Sequence, residues 1–213
     1  GEVLCGNPID LQGGPPVTAM LIQNTNPMMV SPSSLKVREG FERDDLFVCV
    51  HEQFMTETAA MADIVLPATT FLEHEDIYIA GGHTFLQVAK PLIEPLGEAK
   101  SNHFVICELA RRLGAEHPGF EMTAWEIIDQ TLERSGLPSA EKIHSNHWLD
   151  CAKDFEESHF LNGFETRDKK FHFSPDWSQL GKINAPLPKF PDHYSVTDNR
   201  NEERPFRLVT APA

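Results

Sequence analysis

Two short apolar runs, and the gap between them, constrain this chain more than any other feature. Residues 17–23 (Val-Thr-Ala-Met-Leu-Ile-Gln) follow Gly13-Gly14-Pro15-Pro16 and stop at Asn24-Thr25-Asn26-Pro27. Residues 46–50 (Leu-Phe-Val-Cys-Val) form the second run. A continuous apolar run bounded by turn residues reads as a strand buried on both faces, as in a parallel sheet. Between them, residues 33–43 place Leu35, Val37 and Phe41 among charged neighbours, which predicts a short exposed helix. Strand, helical crossover and strand make a βαβ unit. A helix is then expected over 56–62, capped by Thr56 or Thr58. A very short third strand is expected over 64–66, ahead of Pro67.

Residues 70–100 read as irregular, with an acidic loop at Glu73-His74-Glu75-Asp76, a turn at Gly81-Gly82 and a strand over 84–88. Residues 102–113 predict an amphipathic helix whose stripe is Phe104, Val105, Leu109 and Leu113, with Ser101 as N-cap and Gly114 as stop. Residues 123–134 predict another, opened by a Thr123/Glu126 capping box, striped by Trp125, Ile128 and Leu132 and closed by Gly136. Short helices near 139–149 and 154–161 and a strand edge at Phe171-His172-Phe173 are expected beyond it. Pro175, Pro186, Pro188, Pro191 and Pro205 then exclude a helix, and residues 207–210 look like a strand opening another unit. The fold class expected is α/β: a three-layer parallel-sheet Rossmann-like domain over residues 1–116, followed by a helical, Pro-rich extension over 117–213.

Charge narrows the partners. The 213 residues carry 18 Lys+Arg against 32 Asp+Glu, a net charge of −14. Phosphate backbones and anionic membrane surfaces call for a basic footprint, so nucleic acid is not an expected partner. No apolar run approaches the roughly 18 residues of a membrane span. No secretory leader is recognisable, and a cytoplasmic location is expected. The chain starts at Gly1 rather than Met, so it is expected to be a piece of a longer protein. Cys5, Cys49, Cys107 and Cys151 include no CxxC pair and are expected to be buried thiols.

Most motifs that could carry chemistry fail on spacing. His51-Glu52 opens like a zinc-protease helix, but Met55 stands where the second histidine is needed. His144, His147 and Cys151 would share one helix face as a metal site, yet Trp148 and Leu149 sit among them, and surface histidines are the expected reading. There is no GxSxG, no redox CxxC and no phosphate loop. Polar residues do collect after the carboxyl ends of the first two strands: Asn24, Thr25 and Asn26, then His51 and Glu52. In open parallel sheets ligands bind outside those ends. A carboxylate there can accept from a ribose or a base, and an asparagine amide suits a guanine edge.

Those same residues carry a family resemblance. Asn24-Thr25-Asn26-Pro27, the run from His51 to Ala59, and residues 56–73 (TETAAMADIVLPATTFLE) resemble the molybdopterin oxidoreductases of the dimethyl sulfoxide reductase, formate dehydrogenase and nitrate reductase type. The later CELARRLG, within 102–114, fits as well. The resemblance covers about residues 15–115. It implies an α/β domain that binds one molybdopterin guanine dinucleotide of a molybdenum (or tungsten) enzyme. It carries cofactor-binding roles to Asn26, His51, Glu52, His74 and Asn102, with no catalytic residue and no metal ligand in this chain. An iron–sulfur cluster, a small-molecule substrate and an electron-transfer partner would belong to the parent protein, and this chain alone would be inactive. The alternative implied is a non-catalytic structural module, like the subunit of respiratory complex I that resembles this family.

Overall fold

The computed structural model describes residues 1, 3–6, 11, 13–181, 184, 187–190 and 200–206. The strand expected over 207–210 lies outside these residues. The described chain is mixed α/β and groups into two compact units, 1–152 and 153–213.

The first unit opens with a parallel sheet in the order β1-β2-β3, formed by β1 (Ala19–Gln23), β2 (Phe47–Glu52) and β3 (Ile64–Pro67). Its register sets Gln23 beside His51 and Glu52 beside Pro67. Two helices make the crossover, α1 (Pro27–Val30) and α2 (Ser34–Phe41). Alternation along the strands sends Ile22, Val48 and Val50 to the helix side, where they pack with Met28, Val37 and Phe41. Val37, Val48 and Val50 are fully buried, and each such burial contributes about 1.5–3 kcal/mol. Leu4 closes this core against α2. A Cβ on Gly40 would meet the Leu4 Cβ at 2.5 Å, so only glycine permits the approach.

The helix expected over 56–62 is not there. Only a single 3-10 turn forms, at Ala59–Met61. Asp63 explains the early stop: its carboxylate accepts from Val48 N–H (2.7 Å) and its own N–H donates to Val48 C=O (2.9 Å), which commits the next residue to β3. The Thr56 hydroxyl caps the turn by accepting from Ala59 N–H.

A second, antiparallel sheet in the order β4-β5-β6 lies in the same unit, made of β4 (Asp76–Tyr78), β5 (Phe85–Ala89) and β6 (Leu149–Asp150). Strand β4 begins at the last residue of the expected acidic loop and runs into the stretch expected to be irregular. Ile77 and Tyr78 supply the missed apolar partner, pairing with Val88 and Gln87. Helix α3 (Asn102–Leu113) is capped by Ser101 Oγ and ended by left-handed Gly114. Helix α4 (Ala124–Arg134) carries the full Thr123/Glu126 capping box. Helix α5 (Ala140–Ser145) is shorter than expected and yields to β6. Leu132, Ala140 and Ile143 are buried against Leu86 and Val88, so α4 and α5 form a closed core on this sheet.

The second unit holds α6 (Phe155–Ser158), and among its described residues aromatic contacts stand in place of a buried core. Phe160 stacks on Phe164 at 4.6 Å, and Phe171 meets Phe164 and Phe173. The strand expected at 171–173 does not form: among the described residues these have no strand partner, Phe171 meets Phe173 edge-on and His172 lies 2.9 Å from the Asp168 carboxylate. Two cysteines depart from the expected burial. Cys49 and Cys107 are half-buried, and burial pushes both thiols up, while Cys5 and Cys151 are exposed. Among the described residues no helix is long and apolar enough to cross a membrane.

Candidate functional site

The carboxyl ends of β1, β2 and β3 lie along one edge, and the segment before α3 is drawn to it. Ala68, just past β3, bridges in parallel to Lys100 and donates its N–H to Glu52 C=O (3.1 Å). Glu52 and the residues 100–102 therefore flank the same backbone position. His51, at the end of β2, is completely buried. Its Nε2 lies 3.0 Å from the Lys100 carbonyl and its Nδ1 3.0 Å from Gln23 Nε2. Gln23 Nε2 also donates to Asn102 Oδ1 at 3.4 Å. One histidine thus ties together the ends of two strands and the start of α3.

Asn102 and His74 line a common cleft of about 220 Å³, with Glu75, Asp76, Ser101, His103 and the α4 residues behind them. The Thr69 hydroxyl is 2.8 Å from His74 Nδ1, and Asp76 is 3.7 Å from His74 Nε2. The His103 ring reaches Met122 C=O (2.8 Å) and fixes α3 to the approach of α4. Just before His74, the buried Glu73 organises the loop. Its carboxylate accepts from Thr70 N–H (2.6 Å), the Thr70 hydroxyl (3.0 Å) and Leu96 N–H (2.7 Å). Those backbone donors, Thr70 first, hold its carboxyl below the ordinary value of 4.5.

The five residues singled out from the sequence are thus placed differently. Asn102 and His74 face one cleft, and His51 reaches Asn102 through Gln23. Glu52 stands on the same edge with Oε1 accepting from Gln53 N–H (2.7 Å). Asn26 is turned inward: its Oδ1 accepts from the buried Thr58 hydroxyl (2.6 Å) and its Nδ2 donates to Glu57 (3.1 Å). Thr58 in turn accepts from Met28 N–H (3.1 Å), so the loop after β1 is clamped to the turn after β2. Sequence reading missed Gln23, because a glutamine closing an apolar run looks like a strand terminus. It missed Glu73 as a staple because the loop partner, Leu96, is 23 residues away.

His144, His147 and Cys151 do not share a helix face. His144 Nδ1 lies 3.1 Å from Val88 C=O and its ring meets Trp125 edge-on, His147 lies past the end of α5, and Cys151 lies beyond β6. Among the described residues no three His, Cys, Asp or Glu side chains come together as a metal site.

Parallel strands whose carboxyl edge gathers carboxylate, amide and imidazole groups beside a cleft define a cofactor-binding class of α/β protein. Residues 12–112 match the family described as molybdopterin oxidoreductase, and the chain belongs to that family through this region. It is 43% identical to the probable oxidoreductase YoaE of Bacillus subtilis, across 95% of this chain and 29% of that protein. It is 36% identical to the trimethylamine-N-oxide reductase of Haemophilus influenzae, across 92% of this chain and 27% of that protein. Its fold is similar to the solved acetylene hydratase of Pelobacter acetylenicus, with a TM-score of 0.64 and 25% identity over 87% of this chain and 25% of that one. The chain thus spans less than a third of the length of these relatives.

The donor set fits part of a pterin cofactor. Glu52 and Asp76 offer acceptors, Asn102 an amide, and His74 an imidazole. The cleft is roughly the size of one ring system and smaller than a whole-ligand pocket. Its carboxylates suit ligand donors, such as ribose hydroxyls or base N–H groups, better than phosphate.

Proposed function

We propose that this region is the cofactor-binding part of a molybdenum or tungsten oxidoreductase, and that its carboxyl edge holds the guanosine end of a molybdopterin guanine dinucleotide. The observation that carries this is the joining of His51, Gln23 and Asn102 at one edge, with Asn102 and His74 lining one cleft. Guanine presents an acceptor at O6 and a donor at its exocyclic N2. Asn102 can meet the first and the edge carboxylates the second. Glu52 would accept from the ribose or the base, His74 would close the cleft, and Asn26 would shape the rim by holding the loop after β1. When bound, the cofactor supplies the metal and its redox chemistry. This chain's residues bind and orient one end of it.

The relatives' names support a cofactor role over a substrate role. They include a reductase that acts on an N-oxide and a hydratase. A region shared by enzymes of such different chemistry is better suited to the part they hold in common. The parent would act on a small substrate and exchange electrons with a partner through parts outside this region.

Titration of the chain with GDP and, separately, UDP tests the reading. GDP is expected to bind and UDP to bind more weakly by tenfold or more, with Glu52→Ala weakening GDP. Equal affinity for the two, or no binding of either, would remove the guanosine assignment and favour a structural module.

A further inference from the structure

The family resemblance assigns His51 a cofactor contact, but the side chain is completely buried and does not line the cleft shared by Asn102 and His74. We infer that His51 is a positioning residue: its neutral, Nε2-protonated ring orients the Gln23 and Asn102 amides so that Asn102 presents its Nδ2 donor to the cleft. This rests on the guanosine reading above for the identity of the ligand, though the orientation itself does not.

The argument follows the hydrogens. The Lys100 carbonyl can only accept, so the ring nitrogen 3.0 Å away, Nε2, must carry a proton. Among the described residues no carboxylate contacts the ring, and an unpaired charge in the interior is costly, so the second nitrogen carries none. Nδ1 is therefore an acceptor, and the Gln23 atom 3.0 Å from it must be the amide nitrogen. The second hydrogen of that nitrogen goes to the Asn102 side chain at 3.4 Å, which must offer its oxygen. Asn102 is left with its own NH2 group, and Asn102 lines the cleft. A chain of three side chains thus converts one backbone carbonyl, that of Lys100, into a fixed polarity at the cleft wall. A ligand meeting Asn102 must bring an acceptor there, such as a carbonyl oxygen. With the opposite ring tautomer both amides would turn over and the wall would ask for a donor instead.

Two near-isosteric variants separate orientation from simple support. In His51→Asn the side-chain oxygen can replace Nδ1 and keep the link to Gln23, while the Lys100 bond is lost. In His51→Gln the amide can reach Lys100, while the acceptor facing Gln23 is lost. Each variant gives up one buried hydrogen bond, so a merely structural role would affect both alike. The inference predicts that His51→Gln lowers GDP affinity roughly tenfold, the worth of one well-placed hydrogen bond, while His51→Asn stays within about threefold. Ring nitrogen shifts of labelled wild-type protein should show the neutral Nε2–H form, and side-chain amide protons of Asn102 should exchange faster in His51→Gln than in His51→Asn. A charged or Nδ1–H ring, or equal effects of the two variants, would overturn the inference. If the wild type does not bind GDP but the ring form and the exchange order hold, the guanosine reading falls and the positioning role stands.

Discussion

Helices α3 and α4 are equally well written in the sequence and end in different situations. Both are capped, both carry an apolar stripe, and both lie in the first unit. Helix α4 buries its stripe: Leu132 is 1% exposed and packs with Ile143 and Leu86. Lys90 adds to that closure by pairing with Glu141 (2.7 Å) and lying 4.6 Å over the Trp125 ring. Helix α3 leaves Phe104 48% and Leu113 74% exposed. With the sheet face bearing Ala19, Leu21 and Cys49, its stripe borders an apolar groove of about 660 Å³. Parallel sheets are normally covered on both faces. An amphipathic pattern predicts that a face is apolar; it does not say what covers it.

That contrast can be broken by substitution. Leu132→Ala should give the largest effect, about 2–5 kcal/mol in chemical denaturation, because it leaves a cavity in a closed core. Thr58→Val keeps the shape but strips the hydroxyl from both Asn26 and Met28 N–H, and should cost about 1–3 kcal/mol. Glu73→Gln should act through pH. The wild-type carboxyl titrates below 4.5 in the folded state, so its stabilisation is present above that value and is lost as pH falls through the lower, folded one. Thermal melts across the acid range should therefore fall more steeply for wild type than for Glu73→Gln. The smallest effect is expected for Leu109→Ala on α3, within about 0.5 kcal/mol. A cost matching that of Leu132→Ala would mean that the groove is filled in solution and the contrast between the helices is false.

What could be read from the sequence followed the range of the forces involved. The three parallel strands, both long helices, Ser101, Gly114 and the Thr123/Glu126 box are local patterns, and all of them stand. The failures involve distant partners. Strand β4 exists because Ile77 and Tyr78 meet β5, and the helix expected over 56–62 was pre-empted by the pairing of Asp63 with Val48. At the candidate site, strand order put His51 and Glu52 on the carboxyl edge of the sheet, yet only packing shows that His51 is sealed beneath it and that Asn26 has both amide ends engaged.

The most direct test of the central claim is to map backbone amide shifts of the chain as GDP is added. The account predicts changes concentrated along one edge, at residues 52–53, 68–75 and 101–103, with α5 and β6 unmoved. Changes centred on the apolar groove of α3, or on the second unit, would contradict it.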